Sequence, residues 1–175
     1  MIRSFNLRGN RPSRKGKKLA LAVGNAGNYF LVWNSHPMTD EMKELLVLAR
    51  EACSLAYAPY SKYHVGAAVL TEKGVFKGAN IENASSNLGI CAERVAIGHA
   101  RMNGATQIKI VAVCCRDAEM RDGVVVNSSE TMPCGGCRQW LFELAPDALV
   151  VSNGTDEVMT VKGLLPNGFT LTEIR

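Results

Sequence analysis

The sequence predicts a three-layer α/β/α domain whose centre is a mixed, mostly five-stranded sheet. Helical and strand-type apolar patterns alternate along the chain, which places helices on both faces of the sheet. Residues 108–114 form a nearly continuous apolar run, as expected of a strand that is covered on both faces. The chain has 175 residues, of which 47% are hydrophobic, so it can close one well-buried core but is short for two.

A helix and a hairpin open the domain. Thr39 is a suitable N-cap, and apolar residues then recur at helical spacing to about residue 56. Two strand-like runs follow, at residues 65–70 and 75–80. The short segment between them ends in Gly74, and we therefore expect a tight turn that joins two antiparallel strands.

Helices and strands alternate in the rest of the chain. A helix that begins at Cys91 has an apolar face and ends before Asn103-Gly104, a pair that is typical of a helix C-terminus. The predicted elements of this half are helices at residues 91–102 and 134–144 and strands at residues 108–114, 148–152 and 157–161.

Basic residues are concentrated at the N-terminus. The first 38 residues contain seven basic residues and no acidic one, whereas the remainder contains thirteen basic and sixteen acidic residues. Residues 1–37 also lack periodicity, and we interpret them as a basic, disordered extension of a catalytic domain at residues 38–175. A transit peptide and a nucleic-acid-binding arm remain alternatives for the extension. The mildly acidic body does not favour binding to nucleic acid.

The cysteines predict a reducing compartment. No apolar run approaches the roughly 18 residues of a membrane span, so we expect a soluble protein with no membrane partner. Six cysteines without an export signal are more typical of reduced thiols, some of them metal ligands, than of disulfides. We therefore expect a cytoplasmic protein.

Two cysteine-containing segments carry the predicted chemistry: Cys91-Ala92-Glu93-Arg94 and Pro133-Cys134-Gly135-Gly136-Cys137-Arg138-Gln139. Each lies at the start of a predicted helix, where the helix dipole stabilises thiolate, the form that binds zinc. Three thiolates would leave the fourth position of a tetrahedral zinc open for water, as in catalytic sites. We predict one Zn²⁺ with Cys91, Cys134 and Cys137 as ligands.

Glu93 is the predicted catalytic residue. Its carboxylate follows the first ligand closely enough to take a proton from the activated water and return it to the substrate. A structural zinc with a fourth thiol, from Cys53, Cys114 or Cys115, is the alternative, but it would give Glu93 no role. Those three cysteines are more typical of core packing. Isolated histidines are more often structural than metal ligands, and we assign no catalytic role to His64 or His99.

Several longer motifs accompany these cysteines: AYAPYSKYHVGAAVL, GANIENAS, GICAER, PCGGCRQ and LLPNGF. Together they are similar to the cytidine deaminase family over residues 39–171, in which the Glu is the proton shuttle. The resemblance implies zinc-dependent hydrolytic deamination of cytidine and deoxycytidine, with release of ammonia, in pyrimidine salvage. The expected partner is a small-molecule nucleoside rather than a nucleic acid.

The same resemblance assigns roles in substrate binding. It implies that Asn80 and Glu82 hold the ribose hydroxyls and that the Ala92 amide contacts the pyrimidine carbonyl. Tyr63 would line the nucleoside pocket where the family commonly has Phe, and Arg94 would offset the charge of the thiolates.

A cysteine as first ligand resembles the small homotetrameric branch of the family. A homotetramer with one zinc per subunit is therefore expected, in which Phe169 completes a neighbouring subunit's pocket. Two features depart from the family pattern. Ser86 stands where an aromatic residue is usual, and residues 116–132 form a longer stretch than is usual.

Three other functions share the zinc motif or its cysteines. A deaminase of a cytosine-containing antibiotic such as blasticidin is disfavoured because Asn80 and Glu82 suit a ribose. A polynucleotide deaminase would need a basic channel, which the acidic body does not favour. A non-catalytic zinc-binding module is the third alternative.

Overall fold

The computed structural model describes residues 36–122 and 124–171. In chain order its helices and strands are α1 (Asp40–Ala52), β1 (Val65–Thr71), β2 (Gly74–Ala79), α2 (Ala92–Met102), β3 (Ile108–Cys115), β4 (Met120–Arg121), β5 (Val124–Val125), α3 (Gly135–Leu144), β6 (Leu149–Ser152), β7 (Met159–Thr160) and α4 (Val161–Leu164). Three single turns of 3-10 helix lie between them, at Cys53–Leu55, Ser86–Leu88 and Ser128–Thr131.

The main sheet is mixed and has five strands in the order β2-β1-β3-β6-β7. Strand β1 is antiparallel to both β2 and β3, β3 is parallel to β6, and β6 is antiparallel to β7. A parallel pair needs a crossover, and α3 lies in the segment that connects β3 to β6. The predicted sheet is confirmed.

Two apolar clusters occupy the two faces of this sheet. On one face Met42, Leu45 and Ala49 of α1 pack with sheet residues that include Ala68 and Ala112. On the other face the buried residues come from α2, α3 and the alternate sheet positions: Ala96, Ile97, Leu141, Val69, Val111 and Val150. The α/β/α layering is therefore confirmed.

Some element bounds differ from the sequence-based prediction. Helix α1 ends at Ala52 and continues only as a 3-10 turn, where the prediction extended it to about residue 56. The strand predicted at residues 157–161 is reduced to Met159–Thr160, because the Thr160 hydroxyl accepts the Gly163 amide at 3.1 Å and so caps α4. Helix α4 and the two-residue strands β4 and β5 were not predicted.

The predicted extension, residues 1–37, lies outside the described residues except for its last two. His36 forms an antiparallel bridge with Val158, just before β7. The boundary at residue 37 stays a prediction. Within the described ranges no helix is both long and apolar enough to cross a bilayer.

Gly78 sets the distance between β2 and α2. A Cβ atom at this position would lie against the backbone nitrogen of Ala96 and 2.6 Å from the Ala92 carbonyl oxygen. Both obstacles are helix backbone, which cannot rotate away as a side chain can. The absence of a side chain at Gly78 therefore lets α2, which follows Cys91, approach the sheet closely.

We predict that Gly78→Ala lowers the free energy of unfolding by about 1–3 kcal/mol, the usual cost of overpacking. Gly98→Ala is the matched control, because a Cβ there meets nothing within 4 Å and alanine favours the helix by up to about 1 kcal/mol. Urea denaturation of both variants measures the difference. Equal stabilities would contradict the close approach of β2 and α2.

Candidate active site

Two helix N-termini on the same face of the sheet meet at the three predicted ligands. Cys91 is the N-cap of α2 and Cys134 is the N-cap of α3, each with extended backbone. Cys137 is the third residue of α3 and is fully buried. The first residues of a helix have amides without intrahelical acceptors, so all three sulfurs lie where negative charge is favoured.

The spacing of the thiols suits a single zinc ion. The three Sγ atoms lie within 4.8 Å of one another, and those of Cys91 and Cys134 are 3.7 Å apart. Zn–S bonds of about 2.3 Å at a tetrahedral angle place two sulfurs about 3.8 Å apart. No fourth His, Cys, Asp or Glu of the described residues completes the group. Cys91, Cys134 and Cys137 thus fit a zinc with one open position.

Electrostatics favour a thiolate at Cys91. The adjacent Cys137 thiol, the Arg94 guanidinium and the Cys134 thiol together lower the pKa of Cys91 to about 5. The same contact with Cys91 raises the pKa of Cys137, so one proton is shared within this pair. The surroundings therefore favour the thiolate form of Cys91, which is the form that binds metal.

Arg94 supplies the positive charge beside these sulfurs. Its Nη2 donates to the Cys91 sulfur at 3.7 Å and to the Gly89 carbonyl at 3.3 Å, and contact with Cys91 raises the pKa of Arg94. Its Nε is buried without a hydrogen-bond partner among the described residues. A buried donor without an acceptor costs about 1–3 kcal/mol, which a concentration of thiolate charge nearby would offset.

Glu93 is a buried acid in the first turn of α2. Its side chain is 3% exposed, and burial together with the negative charge of Cys91 raises the pKa of its carboxyl. A carboxyl whose pKa is raised toward neutrality can both accept and donate a proton, which suits a general acid–base group. Glu93 is not part of the thiol group that could hold the metal.

Asn80 and Glu82 both order the segment that precedes β1. Asn80 accepts the Val65 amide at 2.8 Å and donates to the Tyr63 carbonyl at 2.9 Å. One oxygen of Glu82 accepts the amides of Tyr60 and Ser61, at 2.9 and 3.2 Å, and the Ser61 side chain, followed by the Tyr60 amide, lowers the pKa of the Glu82 carboxyl. Each side chain retains capacity for a ligand, namely an N–H of Asn80 and the second oxygen of Glu82.

The other predicted substrate residues differ in their surroundings. The Tyr63 hydroxyl donates to the Glu130 carbonyl at 2.9 Å. Ala92 is buried and begins α2, so its amide has no intrahelical acceptor. The Phe169 side chain is 68% exposed, although Gln139 binds both its carbonyl and its amide, at 2.7 and 3.1 Å. The thiols, Glu93 and Arg94 are thus brought together, whereas the Phe169 ring extends to the surface.

The remaining cysteines have other partners. Cys53 is buried and donates to the Ala49 and Cys114 carbonyls, at 3.6 and 3.2 Å. Cys114 is also buried, and the Cys115 thiol donates to the Glu130 carbonyl at 3.2 Å. The prediction that these cysteines lie in the core is confirmed. The arrangement disfavours a fourth thiol ligand.

Both histidines left without a catalytic role have structural contacts. His64 pairs with Asp117 at 2.7 Å, and His99 contacts the Lys77 carbonyl at 3.1 Å and the ring of Phe76 edge-on. Ser86, which replaces the usual aromatic residue, begins an exposed 3-10 turn.

The fold of residues 116–132 was not predicted from the sequence. They contain the β4–β5 hairpin and the 3-10 turn that carries Glu130. The Asp-Gly pair at residues 122 and 123 was an available signal, because this pair is common in tight hairpin turns, and Asp122 has the positive φ of 53° that such turns use. No sequence pattern indicated the contact from Tyr63 to the Glu130 carbonyl.

The sequence has recognisable relatives. The family model for the cytidine and deoxycytidylate deaminase zinc-binding region matches residues 39–153. The chain is 39% identical over 133 residues to a cytidine deaminase of Halalkalibacterium halodurans, an alignment that covers 73% of this chain and 91% of the relative. It is 34% identical over 131 residues to a blasticidin-S deaminase of Bacillus cereus, with coverage of 73% and 91%.

The fold has relatives of known structure as well. The crystal structure of cytidine deaminase from Mycobacterium tuberculosis matches with a TM-score of 0.63 and 31% identity, covering 76% of this chain and 99% of that chain. Sequence and structure thus agree on the region that contains the three thiols.

We predict that the purified protein holds one zinc per chain and that Cys137→Ala loses it, because two thiols and water bind zinc far more weakly than three thiols. Cys53→Ala is the matched control, since this buried thiol bonds carbonyls rather than the metal group. Elemental analysis of the purified variants gives the metal content. Zinc retained in Cys137→Ala, or lost in Cys53→Ala, would exclude the proposed ligand set.

Proposed function

The chain belongs to the cytidine and deoxycytidylate deaminase family, and from this we propose that it converts cytidine and deoxycytidine to uridine and deoxyuridine with release of ammonia. The observation that carries the proposal is the group of three thiols at two helix N-termini with the buried Glu93 beside it. Zinc bound there would act as a Lewis acid that activates water for attack on the pyrimidine ring.

Glu93 moves the protons of this reaction. As a carboxylate it accepts a proton from the attacking water and passes it to the ring nitrogen next to the carbon under attack. It then takes the proton of the hydroxyl that was added to this carbon and transfers it to the exocyclic amine, so that the carbonyl forms, the C–N bond breaks and neutral ammonia leaves. Burial keeps bulk water away from the carboxyl and raises its pKa, so the carboxylate is a stronger base and is better able to take the proton from water.

The sugar is bound at the segment that Asn80 and Glu82 order. The free N–H of Asn80 and the second oxygen of Glu82 are the groups we assign to the ribose hydroxyls. Two backbone amides fix Glu82, so its carboxylate is oriented before substrate arrives. We assign the Ala92 amide to the pyrimidine carbonyl and the Tyr63 ring to the wall of the pocket.

We assign the enzyme to pyrimidine salvage as a cytoplasmic homotetramer. Exposed apolar side chains support assembly, because Leu55, Leu88 and Phe169 are each at least 66% exposed. Phe169 is held through its backbone by Gln139, which suits a ring presented to a neighbouring subunit's pocket. The six cysteines are unpaired in the described structure, and a reducing cytoplasm would keep the ligand thiols available. Residues 1–37 remain assigned to an extension outside the catalytic domain.

We predict that Glu93→Gln retains zinc and fold but loses at least about two orders of magnitude in turnover, because the amide cannot shuttle protons. Glu119→Gln is the control, since it changes an exposed carboxylate that pairs with Arg121. Ammonia release from cytidine, together with metal content, separates chemistry from folding. A zinc-loaded Glu93→Gln with near-normal turnover would remove Glu93 from the mechanism.

A substrate panel tests the recognition of the sugar. We expect only cytidine and deoxycytidine to turn over well, because cytosine leaves the ribose-binding groups unpaired and a phosphate or polynucleotide brings negative charge toward Glu82. Blasticidin belongs in the panel because one relative is named as its deaminase. Efficient turnover of blasticidin or of a cytosine-bearing oligonucleotide would contradict the nucleoside assignment and leave zinc-dependent deamination standing.

The variants Glu82→Gln and Glu82→Ala distinguish two functions of this carboxylate, which are binding of the sugar and ordering of the loop at Tyr60 and Ser61. The amide oxygen of Gln can still accept the Tyr60 and Ser61 amides, so Glu82→Gln preserves the loop and removes only the charge. We expect both variants to lose affinity for cytidine, and Glu82→Ala to lose more. Unchanged kinetics in both would exclude Glu82 from sugar binding.

A further inference from the structure

The Glu130 carbonyl accepts two hydrogen bonds from side chains distant in sequence. The Tyr63 hydroxyl donates to it at 2.9 Å and the Cys115 thiol at 3.2 Å. A carbonyl oxygen has two lone pairs, so these donors occupy both. They fix the peptide group between Glu130 and Thr131, only four residues before the ligand Cys134.

The residues between Glu130 and Cys134 are held along their whole length. Thr131 and Pro133 are fully buried, and Arg138 donates to the Pro133 carbonyl at 2.8 Å. A displacement of Glu130 would therefore be passed on to Cys134, because the residues between them have little freedom to move. This short segment transmits the position of one carbonyl to a metal ligand.

A second anchor attaches the same turn to β6. The Ser152 hydroxyl lies 2.9 Å from the buried Thr131 hydroxyl, which donates to the Ser128 carbonyl at 2.9 Å. This hydroxyl chain holds the turn to the sheet, whereas the Tyr63 bond joins it to the segment that precedes β1. These hydrogen bonds fix the 3-10 turn at Ser128–Thr131 both to β6 and to the segment that precedes β1.

Tyr63 connects this turn to the wall that we assign to the nucleoside pocket. Its ring packs with Cys115, with Ala118, which precedes β4, and with Val125 of β5. The hydroxyl thus contacts the stretch of residues 116–132 that leads to Cys134. A phenylalanine at this position could not donate to Glu130.

We propose that the Tyr63 hydroxyl is a positioning group for the metal-ligand segment. Through the Glu130 carbonyl it holds Cys134 in place. Within the described residues no hydrogen bond joins Tyr63 to the three thiols, and the proposed effect therefore runs through the backbone. The inference rests on the proposed zinc site but not on the identity of the substrate.

Release of zinc to a colorimetric chelator tests this inference without any substrate. We expect Tyr63→Phe to release zinc about threefold to tenfold faster than the wild type, the range that corresponds to one hydrogen bond. Tyr57→Phe is the matched control, because this exposed tyrosine has no hydroxyl hydrogen bond within the described residues. Cys115→Ser should behave as the wild type, since serine still donates to the carbonyl.

A double-mutant cycle adds a result that general destabilisation would not give. Cys115→Ala removes the other donor and also tests the same carbonyl if Tyr63→Phe is poorly folded. The combination Tyr63→Phe with Cys115→Ala leaves the carbonyl without either donor, so release should accelerate by more than the product of the single effects. Melting temperatures of all variants serve as the measure of stability.

Three results would overturn the inference. The first is release from Tyr63→Phe at the wild-type rate, whether or not its melting temperature falls. The second is equal acceleration in Tyr63→Phe and Tyr57→Phe. The third is accelerated release from Cys115→Ser, which keeps a donor to the carbonyl. A wild type that holds no zinc would instead contradict the proposed function. The two failures are therefore distinguishable.

Discussion

The meeting of two helix N-termini is the constraint on which the rest of the structure depends. Cys91 and Cys134 occupy N-cap positions, and Cys137 lies one turn into the second helix. Because backbone rather than flexible side chains sets these positions, three sulfurs lie within 4.8 Å of one another. Both helices, α2 and α3, pack on one face of the sheet. The absence of a side chain at Gly78 lets α2 approach that face closely.

A few charged groups set the electrostatics where the two helix N-termini meet. Helix dipoles and Arg94 favour thiolates, whereas the buried Glu93 is kept from ionising readily by burial and by Cys91. These two effects separate neighbouring residues: Cys91 favours the ionised form that binds metal, and the Glu93 carboxyl binds a proton more tightly than an exposed carboxyl does. The same environment therefore supports both metal binding and proton transfer.

Much of this arrangement was predictable from the sequence because its causes are local. Apolar periodicity predicted α1, the hairpin and the buried strand β3, and the Cys-x-x-Cys spacing with a third cysteine predicted the thiol group. The assignment of Glu93 as the acid–base residue followed from its place two residues after the predicted ligand Cys91. Buried roles for Cys53, Cys114 and Cys115 followed from their apolar neighbours.

The parts that sequence did not predict depend on contacts between distant residues. The bonds of Asn80 to backbone groups of Tyr63 and Val65, and the convergence of two donors on Glu130, have no sequence period. The end of β7 was misplaced because one hydroxyl, that of Thr160, caps a helix instead of continuing the strand. These features depend on tertiary contacts, which local sequence patterns do not encode.

The coordination of zinc tests the central claim most directly, since an open three-thiolate site is catalytic and a closed four-thiolate site is structural. X-ray absorption at the zinc edge of the purified protein counts its ligands. We expect three sulfur atoms at about 2.3 Å and one lighter atom, oxygen or nitrogen, at a shorter distance. Four sulfur atoms would contradict it, because no position would remain for water.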